Sequence, residues 1–175
     1  MKIKIAEAAR RLEAQGLLER SSYDHSTRIV DRVQEQIGRE LPQDLVDFYR
    51  ECIARVGEFH AIAPVWSDRG GWRPMAVQST DLLHAQAIPI FFDGSGNLFG
   101  LDLASGEAVP AVYFFDHEQD FQEPQWAAGS SLDAFLLLLG AKDRAFLERW
   151  PSRWELSIDP DIERCPRAPA IWNAE

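Results

Sequence analysis

The sequence predicts an α+β fold: N-terminal helices, an antiparallel β-meander sheet, and a C-terminal helix packed on that sheet. Apolar residues recur at helical spacing as far as Val56, and after Gly57 the period shortens towards that of a strand. A strongly apolar segment behind a serine pair then reads as a closing helix. The 175 residues suffice for one domain with a sizeable core. They divide into an N-terminal helical extension (1–27), an α+β domain (28–150) and a tail containing Pro and Trp, packed on the domain (151–175).

Residues 3–20 read as a helix, with Ile5, Ala9 and Leu12 forming a modest apolar stripe. Polar residues 21–26 interrupt it, and Asp24 or Ser26 suits the cap of a second helix carrying Ile29, Val30, Val33 and Ile37. Gly38 is placed to end that helix. Leu41-Pro42 opens the clearest helix: Pro42 fits the first turn, Asp44 lies near the positive end of the dipole, and Leu45, Phe48, Tyr49, Cys52, Ile53 and Val56 share one face. Cys52 is therefore expected in the core.

Strands are expected at 59–65 and 75–77, with 66–72 between them a loop by composition. Residues 88–92, the turn Asp93-Gly94-Ser95-Gly96-Asn97, 98–103, the turn Ser105-Gly106-Glu107 and 109–115 spell a meander. Ser130 or Ser131 caps the last helix, which holds Leu132, Phe135, Leu136 and Leu139 and continues towards Trp150. The tail beyond Pro151 shows little periodicity and is expected to wrap the body, pinned by Trp150, Trp154 and Trp172.

The net charge of −10 argues against direct nucleic-acid binding, which depends on phosphate neutralisation by Lys and Arg. Its distribution says more. From Pro74 to Ala141 there is no Lys or Arg, and the same stretch carries nine acids: Asp81, Asp93, Asp102, Glu107, Asp116, Glu118, Asp120, Glu123 and Asp133. A single-sign region steers a basic partner. Acids on loops and strand edges also simply keep a protein soluble, and charge alone does not separate the two. No apolar run approaches the ~20 residues of a membrane-spanning helix. With no secretion signal, Cys52 and Cys165 read as reduced thiols and the chain as cytoplasmic.

Catalytic apparatus is not visible, and neither a cofactor nor a metal is expected. The Asp93–Asn97 segment places Leu98 and Ala104 where a calcium loop needs Gly and Glu. His117 has no second His at ligand spacing and reads as a strand-end residue on a polar loop. Gly94-Ser95-Gly96 joins strand to strand, unlike a nucleophile elbow. A small hydrolase centred on Asp93, Ser95 or His117 is the weakest reading.

Several segments, in order, resemble the SUKH superfamily, which includes fungal cell-wall-assembly regulators and many bacterial immunity proteins. They are the Gly-terminated helix before Leu41-Pro42-x-Asp44; Ile88-Pro89-Ile90 leading into Asp93–Asn97; Phe99, Leu101 and Asp102; Val109-Pro110-Ala111-Val112-Tyr113-Phe114; Asp116-His117-Glu118; and the final helix with Phe135. Members often carry Asn-Gly after the Leu-Pro helix, where this chain reads Arg55-Val56-Gly57-Glu58. The resemblance implies an α+β protein that binds other proteins, most often as the antidote to a co-encoded toxin. Many such toxins are nucleases, whose basic surfaces suit an acidic antidote.

Asp116, Glu118, Asp120, Glu123 and Trp126 are the first candidates for a partner interface, with Trp66, Asp68 and Trp72 next. The first group sets four acids without a base beside an aromatic residue. Aromatic residues on irregular segments either anchor interfaces or hold loops down, and the residues alone do not choose. The functional expectation is a cytosolic immunity protein that masks a toxin domain, a basic nuclease being plausible, without touching nucleic acid or membrane. The alternative is a scaffold or regulator of cell-envelope synthesis.

Overall fold

The computed structural model describes residues 5–15, 18–19, 30–31, 33–35, 38–52, 55–56, 63–64, 66–67, 71–72, 86–93 and 95–172. Only the backbone is described at 18–19, 49–52, 55–56, 63–64, 66–67, 71–72 and 143.

Helix α1 (Ile5–Ala14) buries Ile5, Ala8, Ala9 and Leu12, one stripe of a 3.6-residue period. Glu7 pairs with Arg10 and Arg11 on its wet side, each at 3.1 Å. The helix is shorter than its sequence pattern. Strand β1 (Leu18–Glu19) pairs antiparallel with β2 (Arg55–Val56), a long-range partner that local propensity does not register.

Val30, Asp31 and residues 33–35 are helical, and Val30 and Val33 are buried. Gly38 ends the run with φ +68° and donates its N–H to Gln34 O at 2.9 Å, the left-handed stop that favours glycine. Helix α2 (Gln43–Cys52) starts just after Pro42, whose carbonyl accepts the N–H groups of Leu45 and Val46 at 3.0 and 3.1 Å. Leu45, Val46 and Phe48 form its buried face. The expectation for Cys52 falls on a side chain outside the described ones.

The remaining strands among the described residues are β3 (Ala63–Pro64), β4 (Trp66–Ser67), β5 (Gly71–Trp72), β6 (Ala87–Phe92), β7 (Leu98–Asp102), β8 (Val112–Phe115) and β9 (Trp126–Gly129). Five form one antiparallel sheet in the order β3-β6-β7-β8-β9, while β4 and β5 pair separately. Local expectations change at several places. The presumed loop 66–72 contains the β4–β5 pair, because backbone pairing needs no particular composition. Of the strand expected at 59–65, only β3 lies among the described residues, and 75–77 lies outside them. Strand β8 begins at Val112 rather than 109, and Pro110 just before it has no N–H for a ladder. Strand β9 was not expected.

One row of aromatic rings crosses four strands. Phe91, Phe99, Phe114 and Trp126 are consecutive cross-strand partners in register. Phe99 meets Phe114 edge-on at 5.4 Å, and Phe114 stacks on Trp126 at 5.2 Å. Such pairs contribute beyond their buried area.

Helix α3 (Leu132–Leu147) covers this row through Phe135, whose ring lies 5.6 Å from Phe91 and 5.1 Å from Phe99. Phe48 of α2 meets the same row, 5.7 Å from Phe91. Ser131 caps α3, its Oγ accepting the Ala134 N–H at 3.3 Å. Leu132, Phe135, Leu136, Leu138 and Leu139 are all buried, as a helix apolar nearly all round requires. Gly140 lets α1 approach: a Cβ there would stand 2.5 Å from Leu12 Cδ2. The helix stops at Leu147 rather than reaching Trp150, and Arg149 at φ +51° redirects the chain.

The tail beyond Pro151 has more regular structure than its sequence suggests. It makes 3₁₀ turns at Trp154–Ser157 and Ile162–Arg164, then runs parallel beside β9. Ala127 N–H donates to Pro169 O at 2.8 Å, and Trp172 Nε1 donates to Ala128 O at 3.2 Å. Trp172 contacts Trp126, Trp154 and Phe135. The outer edge of β9 is thereby covered.

Candidate functional site: an acidic turn fastened to a hairpin

The chain leaves β8 at Phe115 and turns at once. Asp116 caps a 3₁₀ turn, His117–Gln119, by accepting the Glu118 N–H on Oδ1 at 2.9 Å. Its carbonyl also accepts the N–H groups of Gln119 and Phe121, at 3.2 and 3.3 Å. Asp120 (φ +53°) and Phe121 (φ +54°) both adopt the left-handed region, which an aromatic residue rarely occupies. Phe121 is 3% exposed and anchors the turn from below, while Glu118, Gln119 and Asp120 stay exposed.

A second tie holds the turn to the β6–β7 hairpin. Asp93 Oδ1 accepts the N–H groups of Ser95 and Asn97 at 2.8 and 2.9 Å, and Asn97 Nδ2 donates to Asp93 Oδ2 at 2.8 Å. That fixes Asn97, whose Oδ1 accepts the His117 N–H at 3.1 Å and faces His117 Nδ1 at 2.8 Å. An amide oxygen only accepts, so Nδ1 carries a proton in this bond. Gly96 (φ +101°) lies directly against the ring: a Cβ there would sit 3.6 Å from His117 Cγ. The Asp93–Asn97 turn is thus a fastening, with its carboxylate oxygens occupied by the turn's own donors.

The acids of the basic-free stretch have different fates. Glu107, Glu118, Asp120 and Glu123 are exposed, Asp93 and Asp116 partly so, and Asp102 and Asp133 are buried. Asp81 lies outside the described residues. A base does reach this region, from the tail: Arg167 pairs with Asp102 at 2.7 Å and Glu123 at 3.3 Å. Burial opposes the Arg167 charge, but the hydrogen bond and field of Asp102, aided by Glu123, raise its pKa. Burial pushes the Tyr113 hydroxyl up to about 12. Burial, reinforced by the Asp159 charge, pushes the Cys165 thiol up to about 11.

Three predicted interface residues, Asp116, Glu118 and Asp120, therefore share one turn. Glu123 follows, tied to the tail. Trp126 lies on β9 rather than on an irregular segment, partly buried, its ring against Phe99, Phe114 and Trp172. Asp68 lies outside the described residues, and of Trp66 and Trp72 only the backbone is described. Among the described residues, no group of three His, Cys, Asp or Glu side chains is disposed to hold a metal ion. Nor is any described helix long and apolar enough to cross a membrane.

A family model, the SMI1 / KNR4 family (SUKH-1), matches residues 26–137, well over half of the chain. The chain belongs to that family. No curated protein and no solved structure gives a match. The SUKH-1 match takes in α2, the sheet with its acidic turn and the first turns of α3, and leaves α1 and the tail outside. Family members act through protein–protein interaction, as immunity proteins or as regulators. Sequence reasoning missed Asn97 as a positioning residue and Arg167 as a partner. A signal for Arg167 existed: Asp102 closes an apolar strand and needs a cation if buried.

Proposed function

We propose that this SUKH-1 protein is a cytosolic, non-catalytic immunity protein that neutralises a toxin encoded beside it. The masking surface is the turn bearing Asp116, Glu118 and Asp120, continued by Glu123 and the accessible edge of Trp126. Trp66, Asp68 and Trp72 are the next candidates for partner contact. The observation that carries this reading is that Glu118 and Asp120 project from a turn held on two sides, by Phe121 below and by Asn97 through His117. A rigid acidic surface loses little entropy on docking and accelerates encounter with a basic partner. A basic nuclease domain is the kind of toxin this charge fits, since it must hold phosphate.

The matched family model also covers regulators, which favours a second reading as a scaffold in cell-envelope synthesis. Gene neighbourhood separates the two, because an immunity gene sits directly beside a toxin gene. The direct experiment co-expresses this chain with the product of the adjacent gene. Co-purification together with rescue of growth supports neutralisation. Unrelieved toxicity, or no complex, rejects it.

A further inference from the structure

At the opposite end of β9 from the acidic turn, two buried carboxylates share a cavity of about 270 Å³. Asp133 is 7% exposed and sits in the first turn of α3. Its Oδ1 accepts the Ser131 hydroxyl at 2.5 Å, and among the described residues its Oδ2 has no partner. Asp159, 3% exposed, comes from the tail and accepts the Ser130 N–H at 2.7 Å and the Ser130 hydroxyl at 2.6 Å. Asp161 stands at the same cavity, already paired with Arg164 at 2.7 Å. Among the described residues no Lys, Arg or His lines it, and Val109, Leu137 and Ile158 supply apolar wall.

Buried carboxylates normally have a cation or a full set of donors. The N-terminal end of α3 favours negative charge at Asp133 and, through the Ser130 N–H, at Asp159, but it is a partial charge and supplies neither carboxylate with a cation. The hydroxyl and amide of Ser130 satisfy one lone pair on each Asp159 oxygen, which leaves accepting capacity facing a concave space. The cavity therefore has anionic acceptors, one of them an oxygen with no partner among the described residues, on a side chain more than nine-tenths buried, and an apolar wall beside them.

We propose that this cavity is a socket for one organic cation, the guanidinium or ammonium head of an Arg or Lys side chain on a bound protein. The charged head meets Asp133 and Asp159, and the methylene stem lies along Val109, Leu137 and Ile158. The described carboxylates are not disposed as metal ligands, so a side-chain cation with a stem is the occupant that uses both parts of the lining. This site is separate from the acidic turn and stands whether or not the partner is a toxin.

The test is an NMR titration of the full chain with Nα-acetyl-arginine amide, Nα-acetyl-lysine amide and the neutral isostere Nα-acetyl-citrulline amide. The proposal expects saturable shifts of the Ser130, Asp133 and Asp159 amides with one or both cations. The dissociation constant should be on the order of a millimolar, with no matching shift from citrulline. Asp133→Asn should weaken binding about tenfold while the rest of the spectrum is unchanged. If that variant does not fold, the cation-against-citrulline comparison on the unmodified chain decides alone. The proposal is overturned by no saturable shift, by equal shifts from citrulline, by shifts confined to 116–123, or by undiminished binding to folded Asp133→Asn. Stronger shifts of the same amides with Ca²⁺ or Mg²⁺ would also overturn it, in favour of an ion site.

Discussion

Arg167 Nη1 lies 2.7 Å from Asp102 Oδ1, joining the tail to the inner sheet across 65 positions of sequence. The Asp102 side chain is wholly buried, and its other bonds are to the N–H groups of Ala104 and Ser105. Removing the guanidinium leaves a buried carboxylate without its cation. Arg167→Ala should therefore cost about 3 kcal/mol in urea unfolding. Asp102→Asn in the Arg167→Ala background should recover part of that loss, because the stranded charge is gone. An Arg167→Ala chain as stable as the parent would show that the pair does not hold the tail.

The two tight glycines should respond differently to alanine. At Gly129 an added Cβ would fall 2.7 Å from Phe135 N, a backbone atom that cannot step aside. Gly129→Ala should cost about 2–3 kcal/mol through displacement of β9 from α3. At Gly140 the obstacle is Leu12 Cδ2, the end of a flexible side chain, and alanine also gains about 1 kcal/mol of helix propensity. Gly140→Ala should be the milder of the two by thermal unfolding.

Cys165 and Tyr113 make the fold sensitive to alkali. Their folded values of about 11 and about 12 exceed the ordinary 9.0 and 10.0, so the unfolded chain releases these protons first. Their contribution is complete below about pH 9 and declines as pH rises through the folded values, so urea midpoints should fall from pH 9 upward. At pH 8 the Cys165 thiolate should be about one hundredth as abundant as that of an ordinary thiol. Alkylation followed by peptide mass spectrometry should find it correspondingly slow, and fast once the chain is unfolded.

Asn97 should control the order of the acidic turn without belonging to it. Asn97→Ala removes the acceptor of the His117 N–H and the donor to Asp93. A loss of about 1–2 kcal/mol in global stability is expected. The more telling readout is hydrogen exchange, which should accelerate at His117 while the β8 amides stay protected.

Much of the fold was legible where local and global signals agree. The β6–β7 hairpin is written in an apolar run, an Asx-rich turn and a second apolar run, and α3 in a capping serine ahead of a continuous apolar helix. Strand β9 was not legible, because Trp126-Ala127-Ala128-Gly129 has little strand propensity beyond its first residue. It is a strand because β8 lies on one side and the tail on the other. The same reason hid Arg167. Counting charges along the chain groups Asp102, Glu123 and Asp133 with the surface acids, whereas the fold buries two of them and gives the third a base from the tail. What survives of the acidic segment as a candidate site is narrower, centred on Glu118 and Asp120.

Asp116 caps the turn and Glu123 holds Arg167, so changing either mixes structure with charge. Glu118→Gln with Asp120→Asn removes two exposed charges and keeps the shape, asparagine being at ease in the left-handed region. The decisive measurement is the association rate of that double variant with the product of the adjacent gene, followed by stopped flow across a range of salt. The account predicts association slowed severalfold at low salt and a flatter salt dependence, with dissociation changed less. An on-rate and salt slope identical to those of the parent would contradict the assignment of this turn as the docking surface.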